Sequence, residues 1–246
     1  MNNSAGSLGF IVFCKRKEVS HWGTSFFRFG GLAINLPKSN IFAVISTNMK
    51  YNLSEISAVI KDRRTIFPEM FSDRKVHREQ VETILNNAIW APTHGLTQPW
   101  SFTVFREDGL QKLSDFLSDT YTKLTPPDAF SEMKLNKLKT RPLMAGAIIA
   151  VSLKRDSKSK ISELEEIEAI ACAIQNMYLT CTAWGLGAFW STPGLIYKPE
   201  MNEFLNLNPE DKCLALFYIG YPKPDLEWPK SHRRPIEYFT TWVEKI

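Results

Sequence analysis

The chain has 246 residues, 44% hydrophobic, 12% aromatic and 23% charged, which excludes a disordered, collagenous or coiled-coil protein. No apolar run reaches the roughly 18 residues that a membrane-spanning helix needs. The net charge of +4 is local: residues 1–48 hold five bases (Lys15, Arg16, Lys17, Arg28, Lys38) against Glu18 alone, so the other 198 residues carry 25 of each sign.

A body so balanced asks for neither nucleic acid nor an anionic membrane as partner. The four cysteines, Cys14, Cys172, Cys181 and Cys213, are scattered and form no C-x-x-C pair. They are expected to be buried thiols in a reducing, cytoplasmic compartment.

Residues 1–48 read differently from the rest. Short apolar pieces, Phe10–Phe13 and Ile41–Ile45, alternate with basic residues, serines and glycines, and no helical period is sustained. The segment is expected to be a leader without order, or an upstream extension of a chain whose translation starts at Met49. A basic, acid-poor targeting segment is the third alternative.

Order is expected from residue 52. Asn52 with Glu55 three residues on makes a helix start, and Leu53, Ile56 and Ile60 share one face up to Arg63-Arg64. Val81, Ile84, Leu85, Ala88 and Ile89 predict a second helix that Pro92 ends. Ser101–Phe105 reads as a strand. Leu110, Leu113 and Leu117 mark a helix, and Phe130, Met133 and Leu138 a shorter one.

Gly146–Leu153 is an apolar run of strand length, expected at the centre of a sheet. The longest helix follows, from Ser162 to Trp184, with Ile167, Ile170, Ala171, Ile174, Met177, Tyr178 and Cys181 as a broad buried stripe and Gly185 and Gly187 as its stop. Strands at Ala188–Ser191 and Cys213–Gly220 flank a helix over 200–205. The body, 49–246, reads as one α+β domain.

Four constellations are candidates for chemistry. Arg63-Arg64-Thr65 offers two guanidinium groups and a hydroxyl, a donor set suited to phosphate; the alternative is a solvated turn at a helix C-terminus. In Ala91-Pro-Thr-His-Gly-Leu-Thr-Gln-Pro-Trp100, Gly95 permits close backbone approach to a flat ligand, and Gln98 can donate and accept at a heteroaromatic edge. A purely structural turn remains the other reading. Gly185-Leu-Gly187-Ala-Phe-Trp190-Ser191-Thr192 ends a helix and leads into a strand, so it is not a dinucleotide fingerprint. His232-Arg233-Arg234-Pro235 adds two phosphate-capable side chains, or is a basic surface tail. The four histidines, His21, His77, His94 and His232, have no metal-ligand spacing.

In this order and spacing, residues 52 to about 240 resemble the FMN-dependent nitroreductases, and the smaller single-domain NAD(P)H enzymes among them. The resemblance implies an α+β fold with a central, mostly antiparallel sheet flanked by helices, built as an intertwined homodimer with FMN at the interface. It places Arg63, Arg64, Thr65, Trp190, Ser191 and Thr192 against FMN, with Arg64 the donor toward the flavin N1–O2 edge and Arg233 or Arg234 at the phosphate. Trp90 and His94 match positions that reach the flavin from the other subunit, Gln98 is a further contact, and Thr180–Gly185 falls at a nicotinamide contact. The reaction implied is hydride transfer from NAD(P)H to flavin N5, then to a nitroaromatic, quinone-like or other small oxidant, in ping-pong fashion. No protein side chain is then a catalytic acid, base or nucleophile. Alternatives are an FMN-binding redox store or sensor, an FMN dehalogenase or flavin-modifying enzyme, and a helical interaction module that binds no flavin. Two positions depart from the family pattern: Phe67 stands where a further Arg is common, and Leu96 where Asn is frequent.

Overall fold

The computed structural model describes residues 50–155 and 160–244, together with two strands at 25–29 and 32–36. These two, β1 (Ser25–Phe29) and β2 (Leu32–Leu36), pair antiparallel with Ser25 opposite Leu36. They belong to a compact unit, Met1–Ile56, separate from Ser57–Ile246. The sequence reading assigns no element there, because five residues interrupted by Arg28 give too short an alternation. Phe10–Phe13, Ile41–Ile45 and Met49 lie outside the described residues.

Helix α1 spans Leu53–Asp62. Its cap is the expected one: the Asn52 side-chain oxygen accepts from the backbone N–H of Ser54 at 3.0 Å and of Glu55 at 3.4 Å. None of its residues is buried, so its apolar face is open among the described residues.

The remaining elements are α2 (Arg78–Ala88), β3 (Trp100–Phe105), α3 (Asp108–Leu124), α4 (Glu132–Thr140), β4 (Ala147–Leu153), α5 (Glu163–Ala183), β5 (Gly187–Ser191), α6 (Pro199–Leu205) and β6 (Lys212–Gly220). Four strands form an antiparallel sheet in the order β3-β4-β6-β5. β4 is central, as its apolar run predicts, and all seven of its residues are buried.

The two-residue period of β4 divides the core. Ala147, Ile149, Val151 and Leu153 face α2 and α5, where Val81, Ile84, Ile170, Ile174 and Met177 close over them. Ile148 and Ala150 face the opposite layer, built from Leu113, Leu117 and Tyr121 of α3, Leu138 of α4 and Met201 and Leu205 of α6. The fold is therefore three-layered, helix–sheet–helix. A register shift between Val151 and Ser152 carries β6 past β4 at the far end.

α5 begins on a capping box. Ser162 Oγ accepts from the Glu165 N–H at 3.3 Å, and the Glu165 carboxylate accepts from the Ser162 N–H at 3.2 Å. It ends where Gly185 takes φ +71, a conformation that closes helices and that a Cβ disfavours. The N–H of Leu186 then reaches the Cys181 carbonyl at 2.8 Å. Gly187 is the first residue of β5 rather than part of the stop.

Several expected core positions lie elsewhere. Ile89 caps α2 and is exposed, because the helix closes at Ala88, before Pro92 can act. Met133 is exposed, Phe130 precedes α4, and Ala171 and Cys172 lie on the outer face of α5. Cys172 therefore departs from the expected burial. Cys181 and Cys213 conform to it: burial raises both thiols, that of Cys213 to about 12.

Candidate functional site

Residues 63–66 leave α1 and run along the open rim of β5. The Ile66 N–H donates to the Ala188 carbonyl at 2.9 Å, and Thr65 bridges Ala188 in parallel fashion. Ile66 is fully buried and anchors the segment. Arg63 and Thr65 are thereby set beside the end of β5, where they line a cleft of about 640 Å³ with Gln175 and Tyr178 of α5 and with Trp190 and Thr192.

The two arginines of the pair have different uses. The Arg63 guanidinium lies over the Tyr178 ring, 5.1 Å from its centroid, and makes no hydrogen bond or ion pair among the described residues. It is an unspent cation in a cleft. Arg64 is spent on backbone carbonyls: its Nε donates to Pro229 at 2.7 Å, and its Nη1 to Lys61 at 2.5 Å and Arg63 at 2.7 Å. With Trp228 Nε1 donating to the Asp62 carbonyl at 2.8 Å, Arg64 ties the C-terminal segment to the end of α1. Unlike Arg63, it does not line the cleft.

Of the other expected residues, Ser191 lies on β5 between Trp190 and Thr192 but does not line the cleft. Trp90 is 84% exposed. His94 Nδ1 lies 2.7 Å from a carboxylate oxygen of Glu165, and this bond, then those from Ser162, holds the Glu165 carboxyl below its usual range. The loop containing His94 is held in uncommon backbone states, with positive φ at Gly95, Leu96 and Gln98. Gly95 takes φ +58, where a side chain is strained even though an added Cβ would stand 3.7 Å from Ile161. Arg233 bonds to Ser231 and the His232 carbonyl, and Arg234 lies over the Tyr238 ring. Within one chain, Trp90, His94, Gln98, Arg233 and Arg234 do not join the cleft.

Thr180–Gly185 comprises the last turn of α5 and the two residues that close it, and Thr180 accepts from the Asn87 side chain at 3.0 Å. Phe67 packs on Phe189 with ring centroids 5.0 Å apart, and the Arg141 guanidinium covers both rings. An arginine in place of Phe67 would meet that cation, which is the physical reason for the departure at this position.

The sequence reading omits Gln175 and Tyr178 from the site. Tyr178 carries the periodicity of the buried stripe and so reads as core, which it also is. Among the described residues no group of three or more His, Cys, Asp or Glu is placed to hold a metal, and no helix is long and apolar enough to cross a membrane.

The sequence model described as the nitroreductase family matches residues 60–221. The chain belongs to the nitroreductase family. YdjA of Escherichia coli K12, named as an NAD(P)H nitroreductase, is 28% identical over 145 residues, 59% of this chain and 77% of its own length. An iodotyrosine deiodinase of Nematostella vectensis is 28% identical over 208 residues, 77% of this chain and 75% of that one. A nitroreductase-type crystal structure from Desulfovibrio desulfuricans, solved in complex with FMN, superposes with a TM-score of 0.60 at 26% identity, covering 80% of this chain and 99% of the other. The antiparallel sheet flanked by helices, expected from the family resemblance, is the fold of these neighbours.

Proposed function

We propose that the chain is an FMN-dependent oxidoreductase using NAD(P)H as electron donor, and that the cleft beside β5 holds the flavin. The observation that carries this reading is Arg63, a charged donor set lining a cleft of flavin size with no hydrogen-bond or ion-pair partner among the described residues. A phosphate-bearing, flat heteroaromatic ligand uses every feature present: the cation, the hydroxyls of Thr65 and Thr192, the amide of Gln175 and the indole of Trp190. The FMN-bound relative and the NAD(P)H nitroreductase name of YdjA support the same assignment.

When bound, FMN supplies the redox chemistry, accepting hydride from NAD(P)H and passing electrons to a nitroaromatic, quinone-like or similar oxidant that takes the donor's place. The chain's own residues bind and orient. Arg63 supplies positive charge at one end of the cleft, Trp190 a stacking surface, and β5, fixed on both edges, a rigid wall.

A homodimer completes this reading. The outer face of α5 carries Leu164, 65% exposed, with Ala171 and Cys172. α1 is apolar on one side and buries nothing. Ile236, Tyr238, Phe239, Trp242 and Val243 stand exposed in the C-terminal segment. Apolar surface of this extent calls for a partner copy, through which Trp90 and His94 would reach the flavin.

The test is an absorbance spectrum of the purified protein, before and after anaerobic NADPH. A flavin band that bleaches supports the reading. A protein that stays colourless after FMN addition and gel filtration ends it; a yellow protein that NADPH leaves oxidised points to a store or sensor. The deiodinase relative favours dehalogenation as the second reading, and product analysis separates it: a nitroarene yields hydroxylamine, a halophenol yields free halide.

A further inference from the structure

Tyr178 stands where three parts of the cleft meet. It lies on α5, 5% exposed. Its ring supports the Arg63 guanidinium at 5.1 Å, and its hydroxyl oxygen accepts the backbone N–H of Trp190 at 2.8 Å. The ring is itself held edge-on against Phe217 of β6, with centroids 4.9 Å apart and planes at 86°. Segments from opposite halves of the chain, one after α1 and one at the end of β5, are thus fixed by one side chain. Two of its contacts act on groups that line the cleft, and the third sets the ring on the sheet.

Both contacts are chemically specific. Arg63 has no acceptor to hold it, so the aromatic face is its only support among the described residues. The Trp190 N–H donates to the phenol oxygen, its acceptor among the described residues. Leucine would keep an apolar side chain there, smaller than the ring, and supply neither contact. Phenylalanine would supply the face alone.

We infer that Tyr178 is the positioning residue of this site, its ring aiming Arg63 and its hydroxyl fixing the backbone of Trp190, so that the cleft is set before its ligand enters. The inference rests on the flavin reading above. It deepens that reading by separating two functions in one side chain, the first acting through Arg63 and the second through β5.

The experiment uses full-length protein and FMN as the probe. Wild type, Tyr178→Phe, Tyr178→Leu, Arg63→Ala and the doubles of each Tyr178 variant with Arg63→Ala are compared by FMN fluorescence titration and by the shape of the bound flavin band. Tyr178→Phe is expected to weaken FMN about three- to tenfold, from the loss of one hydrogen bond at the part-buried Trp190 N–H, and to shift the flavin band through the displaced indole. Tyr178→Leu adds roughly a further threefold by releasing Arg63. In the Arg63→Ala background that additional loss disappears, while the Tyr178→Phe loss persists in full.

Tyr178→Leu within about twofold of wild type, or an equal leucine penalty with and without Arg63, overturns the inference. A general loss of fold would lower affinity without that selective coupling. If Tyr178→Leu does not fold, Tyr178→Phe decides alone: an unchanged affinity and an unchanged flavin band overturn it. A wild-type protein that takes up no FMN fails at the earlier step and rejects the functional reading itself.

Discussion

Replacing each member of the adjacent arginine pair should produce opposite defects. Arg64 gives three hydrogen bonds to carbonyls at 2.5 to 2.7 Å, and the one to Pro229 spans 165 residues. A charged donor bond contributes about 1.5–3 kcal/mol at most. The site is half-exposed, and two of the three bonds are local, so the loss in Arg64→Ala is set at roughly 2–3 kcal/mol rather than the sum. For a chain of this size that is a fall of about 4–12 °C in melting temperature. Arg63→Ala loses a single cation–π contact, about 0.5–1 kcal/mol of stability, but removes the free charge from the cleft. Its FMN affinity should fall on the order of 10- to 100-fold, the worth of one charge-assisted contact. Urea unfolding of the apoprotein and FMN titration of the same preparations read the two defects apart. If Arg64→Ala sheds flavin while keeping wild-type stability, the division of labour is wrong and the cleft is misassigned.

Other consequences follow from polar contacts away from the cleft. Glu166 is 1% exposed and pairs with Arg155; Arg155→Met leaves a buried carboxylate unpaired and should cost about 3–5 kcal/mol by denaturant midpoint, so a cost below about 1 kcal/mol would show the pair to be uncoupled in solution. Glu69 is desolvated by partial burial, which alone would raise its pKa, yet the hydrogen bond from Arg141 Nε at 2.7 Å and its charge hold the carboxyl below the usual range. A depressed carboxyl stabilises the fold above its unfolded pKa and loses that contribution as pH falls through the folded one. Stability curves of wild type and Glu69→Gln should therefore converge on acidification, and parallel curves from neutral to strongly acid pH would refute the linkage. Cys181 and Cys213, both buried with raised thiols, should resist a thiol reagent in native protein and react once urea unfolds it; native labelling of either at the unfolded rate would contradict their burial.

Much of the architecture is legible in the sequence where one physical signal acts alone. The apolar run 147–153 has no polar interruption except Ser152 and sits at the centre of the sheet. Ser162 with Glu165 marks the start of α5, and Asn52 that of α1. Signals that overlap are harder to read. α3 runs to Leu124, well past Leu117, because its buried stripe includes Ser114, Ser118 and Thr120, whose hydroxyls disguise the period. Two of these, Ser114 and Ser118, spend their protons on backbone carbonyls, which makes them acceptable inside.

The site shows the same limit. Arg63, Thr65, Trp190 and Thr192 are readable from motif order and do converge. Which of two neighbouring arginines faces the cleft depends on the Pro229 carbonyl, which no local pattern foretells. Tyr178 is hidden by serving core and cleft at once. Arg233 and Arg234 read as phosphate donors from type alone, yet within one chain they lie in an exposed segment away from the cleft.

The rim of β5 has a consequence for handling and for evolution. An uncovered outer strand offers unpaired amides to any passing chain, a common route to insoluble polymer. Here the stretch ending at Ile66 lies across that rim and also delivers Arg63 to its place. Peeling it away would empty the pocket and bare a sticky border in one motion. Under the flavin reading, loss of the ligand and exposure of that border would be mechanically joined.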